Sequence, residues 1–295
     1  MGDVPATEGA ARAAPRLGRK GFSLVEALVA MLLSSVVVAL VASVFLVQNS
    51  FYSDVVSRST LNESVRSAVN HAASELRGVS AGGVVVAESD QVVFRVPRVL
   101  GGVCDVSGSS VFLLLPLGGR GLDPSQVSGY AVKDSTGAWG YHGASWSSIY
   151  VSSGGGAAAA CALAGADTVG AREDFYHLAG LAAPTPLQTG DVVMIYRELE
   201  YRIAPSALNP SSMALFRGLH GDTLAELATN LSPESAFEYR LTGETSFRDR
   251  VTGASNLREV NVVRLRARGI APATTATRDS LTLDLTTTIF LRNAR

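Results

Sequence analysis

The sequence predicts an α+β protein: one long N-terminal helix laid on a mainly antiparallel β-sheet. Three observations carry this. Residues 22–47 form an apolar run holding a single charge, Glu26, and no Pro or Gly. Beyond it, up to Arg77, apolar residues recur at spacings of mostly three or four, again without Gly or Pro. From Val84 onward the apolar period becomes two.

The apolar run rises about 1.5 Å per residue as a helix. Its length of about 39 Å exceeds the roughly 30 Å of a bilayer core. Arg12, Arg16, Arg19 and Lys20 precede it, offset only by Asp3 and Glu8. Basic residues beside an apolar run place the N-terminus on the cytoplasmic side and the rest of the chain outside. In that oxidising compartment Cys104 and Cys161 can pair, and a structural disulfide is expected in preference to two free thiols. In the chain-entropy model it stabilises by about 4 kcal/mol. The chain has 295 residues, 47% hydrophobic and 17% charged, with a net charge of −1. That suffices for one large globular domain beside the apolar segment. It excludes a global electrostatic pull towards nucleic acid.

A secretory signal peptide would carry a small-residue cleavage site after the run. The residues there, Gln48-Asn49-Ser50-Phe51-Tyr52, make a poor one. The small residue is Gly21, before the run. Glu26 is the second oddity, because a carboxylate inside a membrane span costs about 2.5–3.5 kcal/mol and is usually there for a partner.

Arg19-Lys20-Gly21-Phe22-Ser23-Leu24-Val25-Glu26, followed by the clean apolar span, resembles the start of a type IV prepilin or pseudopilin. The resemblance implies cleavage by a prepilin peptidase between Gly21 and Phe22, and N-methylation of the new N-terminal Phe22. It implies a role for Glu26 in subunit register, paired with the α-amine of a neighbouring subunit's first residue. Breaking a buried pair of opposite charges costs about 3–5 kcal/mol. The plain alternative is a polar residue near a helix end that snorkels to the interface.

The resemblance divides the chain into a leader (1–21), a transmembrane or filament-core helix (22–47), its amphipathic continuation (48–78) and a β-rich extracytoplasmic domain (79–295). In the amphipathic part, Phe51, Val55, Leu61, Val65, Val69, Ala72 and Leu76 form the apolar stripe. Asp54, Arg58, Asn62, Glu63, Arg66 and Glu75 are assigned to the other face. Gly78 is the stop signal.

Strands are expected at Val84–Ala87, Gln91–Val96, Val111–Leu115, Val192–Arg197, Glu200–Ile203, Ala214–Arg217, Phe237–Leu241, Val260–Arg268 and Leu281–Arg292. The last alternates most cleanly, with Leu281, Leu283, Leu285, Thr287, Ile289 and Leu291 on one face. Residues 118–190 are Gly/Ala-rich and read as loops. Within them Tyr130, Trp139, Tyr141, Trp146 and Tyr150 crowd together, as a local mini-core or, less favoured, a binding patch.

Several motifs lead nowhere. Gly78-Val79-Ser80-Ala81-Gly82 fits G-x-S-x-G, but a helix precedes it and a strand follows, the reverse of a nucleophile elbow. His71, His142, His177 and His220 are scattered, and no metal site is expected. Arg172-Glu173-Asp174 and the Asp222/Glu226 pair read as solvated charges. Arg264, Arg266 and Arg268 line one strand face, with Arg292 and Arg295 beyond. They read as solvated or paired with Glu259 and Asp284, and a nucleic-acid contact is the less favoured reading.

The expectation is a non-enzymatic structural protein with no catalytic residue and no cofactor. The span after Gly21 is longer than that of the usual abundant pilin, and the apolar run lacks a helix-kinking Pro. Both resemble a large minor pilin of the pilus-initiating complex or its type II secretion counterpart. Its partners would be prepilin peptidase, other major and minor pilins or pseudopilins, and inner-membrane lipid. The alternative is a tip-located adhesin, or a DNA- or glycan-binding module, on a pilin-type anchor.

Overall fold

The computed structural model describes residues 23–108, 110–115, 123–134, 136–143, 148–151, 161, 175–179, 187–271 and 281–291. The chain divides into two compact units, Met1–Ser53 and Asp54–Arg295. Helix α1 (Leu24–Leu76) runs through the end of the first into the second.

In the first unit α1 is apolar and exposed at nearly every position. It is long and apolar enough to cross a membrane. Three of its serines are satisfied locally. The hydroxyls of Ser35, Ser43 and Ser50 donate to the carbonyls of Leu32, Leu40 and Val47, three residues back, at 2.7–2.9 Å. That removes the cost of an unpaired hydroxyl in an apolar setting.

In the second unit α1 buries Leu61, Val65, Ala68, Val69, Ala72, Ala73 and Leu76. Phe51 and Val55, the first two positions of the expected stripe, are 69% and 45% exposed. The helix stops where the sequence said it would. Gly78 N–H bonds back to the Glu75 carbonyl at 3.0 Å, and Gly82, at φ 73°, turns the chain into the sheet.

The sheet has thirteen strands among the described residues. They are β1 (Val84–Ala87), β2 (Gln91–Ser107), β3 (Ser110–Leu114), β4 (Gly129–Lys133), β5 (Trp139–Gly143), β6 (Ser148–Val151), β7 (Phe175–Ala179), β8 (Val192–Pro205), β9 (Met213–Leu219), β10 (Ala225–Leu231), β11 (Ala236–Leu241), β12 (Val260–Ala271) and β13 (Leu281–Phe290). Every pairing is antiparallel. A short helix, α2 (Ala254–Arg258), precedes β12.

Two long strands, β2 and β8, form the spine. They pair from Gln91↔Arg202 to Gly102↔Val192. The register slips between Pro97 and Val99, a bulge at the one residue that cannot donate to the ladder. The slip changes phase, so Val99 and Val103 come to the same face as Val92 and Phe94. At one end of that face the buried residues of α1 pack on Phe94, Leu199, Tyr201, Phe237, Val263 and Leu265. At the other, Val99, Val103, Leu113, Val193 and Ile195 form a second core. The expected breaks after Val96 and between Arg197 and Glu200 are absent. Four strands not expected, β4, β5, β6 and β7, lie in the stretch read as loops, and β10 is a fifth. β13 follows its alternation, with Thr282, Asp284, Thr286 and Thr288 exposed and Ile289 buried.

Candidate functional site

The start of α1 is built by its own sequence. Ser23 precedes the first helical residue, and its Oγ accepts the Val25 N–H at 3.3 Å. Its carbonyl takes the first helical bond, from the Ala27 N–H at 3.1 Å. Ser23-Leu24-Val25-Glu26 therefore has the spacing of a capping box, with Glu26 in the first turn. A carboxylate there also faces the positive end of the helix dipole. The S-x-x-E spacing of Ser23 and Glu26 is the sequence signal for this cap. Gly21 and Phe22 lie outside the described residues.

The other end of α1 holds an ion cluster. Glu75 does not join the solvent face assigned to it. Its carboxylate turns to the sheet, where it accepts from the Tyr201 hydroxyl at 2.7 Å and from Arg217 Nε at 2.9 Å. A second Arg217 nitrogen completes a fork on the other oxygen, and Arg197 Nη2 lies 3.9 Å away. Tyr201 and Arg217 are register partners on β8 and β9, which presents both to one turn of the helix. Burial pushes the Glu75 carboxyl up. The hydrogen bonds from Arg217 and Tyr201, with the Arg217 charge, outweigh it and hold the group below its ordinary value. The same surroundings push the Tyr201 hydroxyl up, burial first and then its bond to Glu75.

Cys104, on β2, is disulfide-bonded to Cys161, with Cα atoms 4.6 Å apart. The strand arginines are paired. Arg264 and Arg266 share Glu238, and Arg268 takes Glu234 and Asp284. Glu238 and Glu234, on or beside β11, fill the place expected of Glu259. Arg292 and Arg295 lie outside the described residues.

Of the aromatic group, Tyr130 is buried and stacks on His142, with ring centroids 5.2 Å apart. Tyr141 meets Tyr196 edge-on at 5.5 Å, beneath Arg95. Trp139 packs against the small core of Ala131, Met194 and Tyr196. Trp146, the tract 152–160 and Arg172-Glu173-Asp174 lie outside the described residues. Of Tyr150 only the backbone is described. His220 Nδ1 lies 2.8 Å from Glu200. Among the described residues no three His, Cys, Asp or Glu side chains converge as metal ligands do.

A long N-terminal helix, capped and apolar at its start, that leads into an antiparallel sheet defines a pilin-like α+β protein. Residues 16–42, which include Gly21, Phe22 and Glu26, match the family model of the prokaryotic N-terminal methylation motif. That motif is the signature of type IV prepilins and pseudopilins, so the start of the chain is similar to theirs. The motif implies a prepilin peptidase substrate that assembles with other pilins. The match is confined to the N-terminal part. No curated protein and no solved structure matches the chain.

Proposed function

We propose that this protein is a minor type IV pilin or pseudopilin that helps to prime filament assembly at the tip. Residues 1–21 act as a leader on the cytoplasmic side of the inner membrane. Prepilin peptidase cuts between Gly21 and Phe22, and Phe22 is methylated. Residues 22–47 serve first as the membrane anchor and then as the filament core. Glu26 pairs with the α-amine of a neighbouring Phe22 and sets the register between subunits. The domain from residue 79 onward stays outside the membrane.

The observation that carries this reading is the contrast along α1. Its second part is buried on one face by its own sheet, whereas Leu24 to Val47 is exposed at every large apolar residue. Such a surface needs lipid or other helices. Large size and a proline-free apolar run support a low-copy subunit over an abundant one. Mass spectrometry of the N-terminal peptide, on protein from its native membrane, tests the reading. A chain that starts at Phe22, with or without one methyl, supports it. A start at Met1 or a cut after Val47 overturns it.

A further inference from the structure

The face of the sheet turned away from α1 carries rows set by register. In one row Glu238, Arg264 and Thr288 lie side by side on β11, β12 and β13. Glu238 there neutralises both Arg264 and Arg266. The next row holds Arg240, Val262 and Phe290. Arg240 is half-buried and has no carboxylate partner among the described residues. Its guanidinium rests instead on ring faces, 5.5 Å from the Phe247 centroid and 5.8 Å from that of Phe290. Arg240 Nε and Asn261 Oδ1 are buried without a hydrogen-bond partner among the described residues.

A cleft of about 960 Å³ opens against this row. Arg240, Asn261 and Phe290 form one wall. The turn between β4 and β5 forms the other, with Lys133, Thr136 and Trp139. Lys133 Nζ sits 5.3 Å from the Trp139 ring centre. The ionised groups among the described residues of the two walls, Arg240 and Lys133, are both cations. This site is at the upper end of the size range for small-ligand pockets, so it suits an oligomeric ligand a few units long.

The chemistry of the walls selects the ligand. A guanidinium held by two rings presents a fixed fork that fits a carboxylate. An indole offers its negative π face to the weakly positive C–H groups of a saturated ring. Thr136 and Asn261 suit ring hydroxyls. A single-stranded nucleic acid fits less well, since such grooves follow the phosphate backbone with a line of cations, and among the described lining residues there are two.

We propose that the cleft between Trp139 and Arg240 binds an acidic sugar unit of a polysaccharide, with its carboxylate on Arg240 and Lys133 and its ring on Trp139. The site stands apart from assembly, because a chain that failed to enter a filament would still bind. Calorimetric titration of the full chain in detergent micelles tests it. The probes are an alginate hexamer, the neutral maltohexaose and a thymidine oligonucleotide. The alginate hexamer is expected to bind at least tenfold more tightly than maltohexaose. Arg240→Gln should weaken it tenfold or more, and Arg266→Gln, a cation removed elsewhere on the same face, should leave it unchanged. Trp139→Ala should abolish binding; because Trp139 also packs on a core, Arg240→Gln carries the decision. Equal affinity for the two sugars overturns the proposal. So does tighter binding of the oligonucleotide, or an equal loss in the two arginine variants.

Discussion

The Tyr201 hydroxyl donates a 2.7 Å hydrogen bond to Glu75 Oε2, which ties the centre of β8 to the last turn of α1. Arg217 holds the same carboxylate from the next strand. The end of the helix is thus fixed to the sheet by charge as well as by the packing of Leu76.

Acid should loosen that tie. Glu75 in the unfolded chain titrates near its ordinary 4.5, and in the folded protein it is held lower. Its contribution is fully present above about pH 4.5 and is lost as pH falls through the folded value. Thermal melts of the full chain between pH 7 and pH 3 should show Glu75→Gln less stable at pH 7 and less sensitive to acid than the wild type. Tyr201→Phe should cost about 1.5–3 kcal/mol at pH 7, the range for hydrogen bonds to charged groups. Parallel acid curves for wild type and Glu75→Gln would show that the cluster contributes nothing.

Gly129 permits the close approach of β4 to β8. A Cβ there would lie 2.3 Å from the His142 carbonyl oxygen and 2.4 Å from the Tyr196 hydroxyl. Neither the strand backbone nor the packed ring can yield cheaply. Gly129→Ala should therefore destabilise by about 1–3 kcal/mol, as overpacking does. Gly102→Ala, which meets nothing within 4 Å, is the control and should be neutral. Denaturant midpoints of the two variants decide between them.

Removing the Cys104–Cys161 bond should lower stability by up to about 4 kcal/mol. The double Cys→Ser variant and the reduced wild type should melt together, below the oxidised protein. An unchanged melting temperature on reduction would mean that this loop is already constrained by other contacts.

The register role proposed for Glu26 can be separated from its place at the helix start. Gln can take the same place in a capping box as Glu, so Glu26→Gln keeps the helix start while it removes the charge. The variant is expected to be cleaved normally, by N-terminal mass, and to be recovered in sheared filaments at a small fraction of the wild-type level. Normal recovery would leave Glu26 as a helix-start residue and end the register role.

Legibility followed the reach of the forces. The helix and β13 were readable because each buries one face only, so period and element agree. From the sequence β8 reads as two strands because it is covered on both faces. Met194 and Tyr196 pack on one side, and Val193, Ile195, Leu199 and Tyr201 on the other. An unbroken buried run has no period to read. β2 was cut short at Val96 because the bulge at Pro97 shifts its alternation. β4 and β5, Gly-Tyr-Ala-Val-Lys and Trp-Gly-Tyr-His-Gly, are weakened as strand signals by their three glycines, and β4 is held by pairing with β8. Glu75 was misplaced for the same reason. Helical spacing gives a residue's face, but only the register of Tyr201 with Arg217 shows that its carboxylate has somewhere to go. The cleft beside Trp139 was hidden because its two walls come from residues about a hundred positions apart.

The disulfide has a consequence for how the domain would withstand proteolysis in the proposed setting outside the membrane. A single cut anywhere between residues 105 and 160 would leave both pieces covalently joined. The nicked subunit would keep its full mass on a gel without reductant and fall into two bands only after reduction. Damage in that stretch would leave the rest of the domain covalently joined to α1.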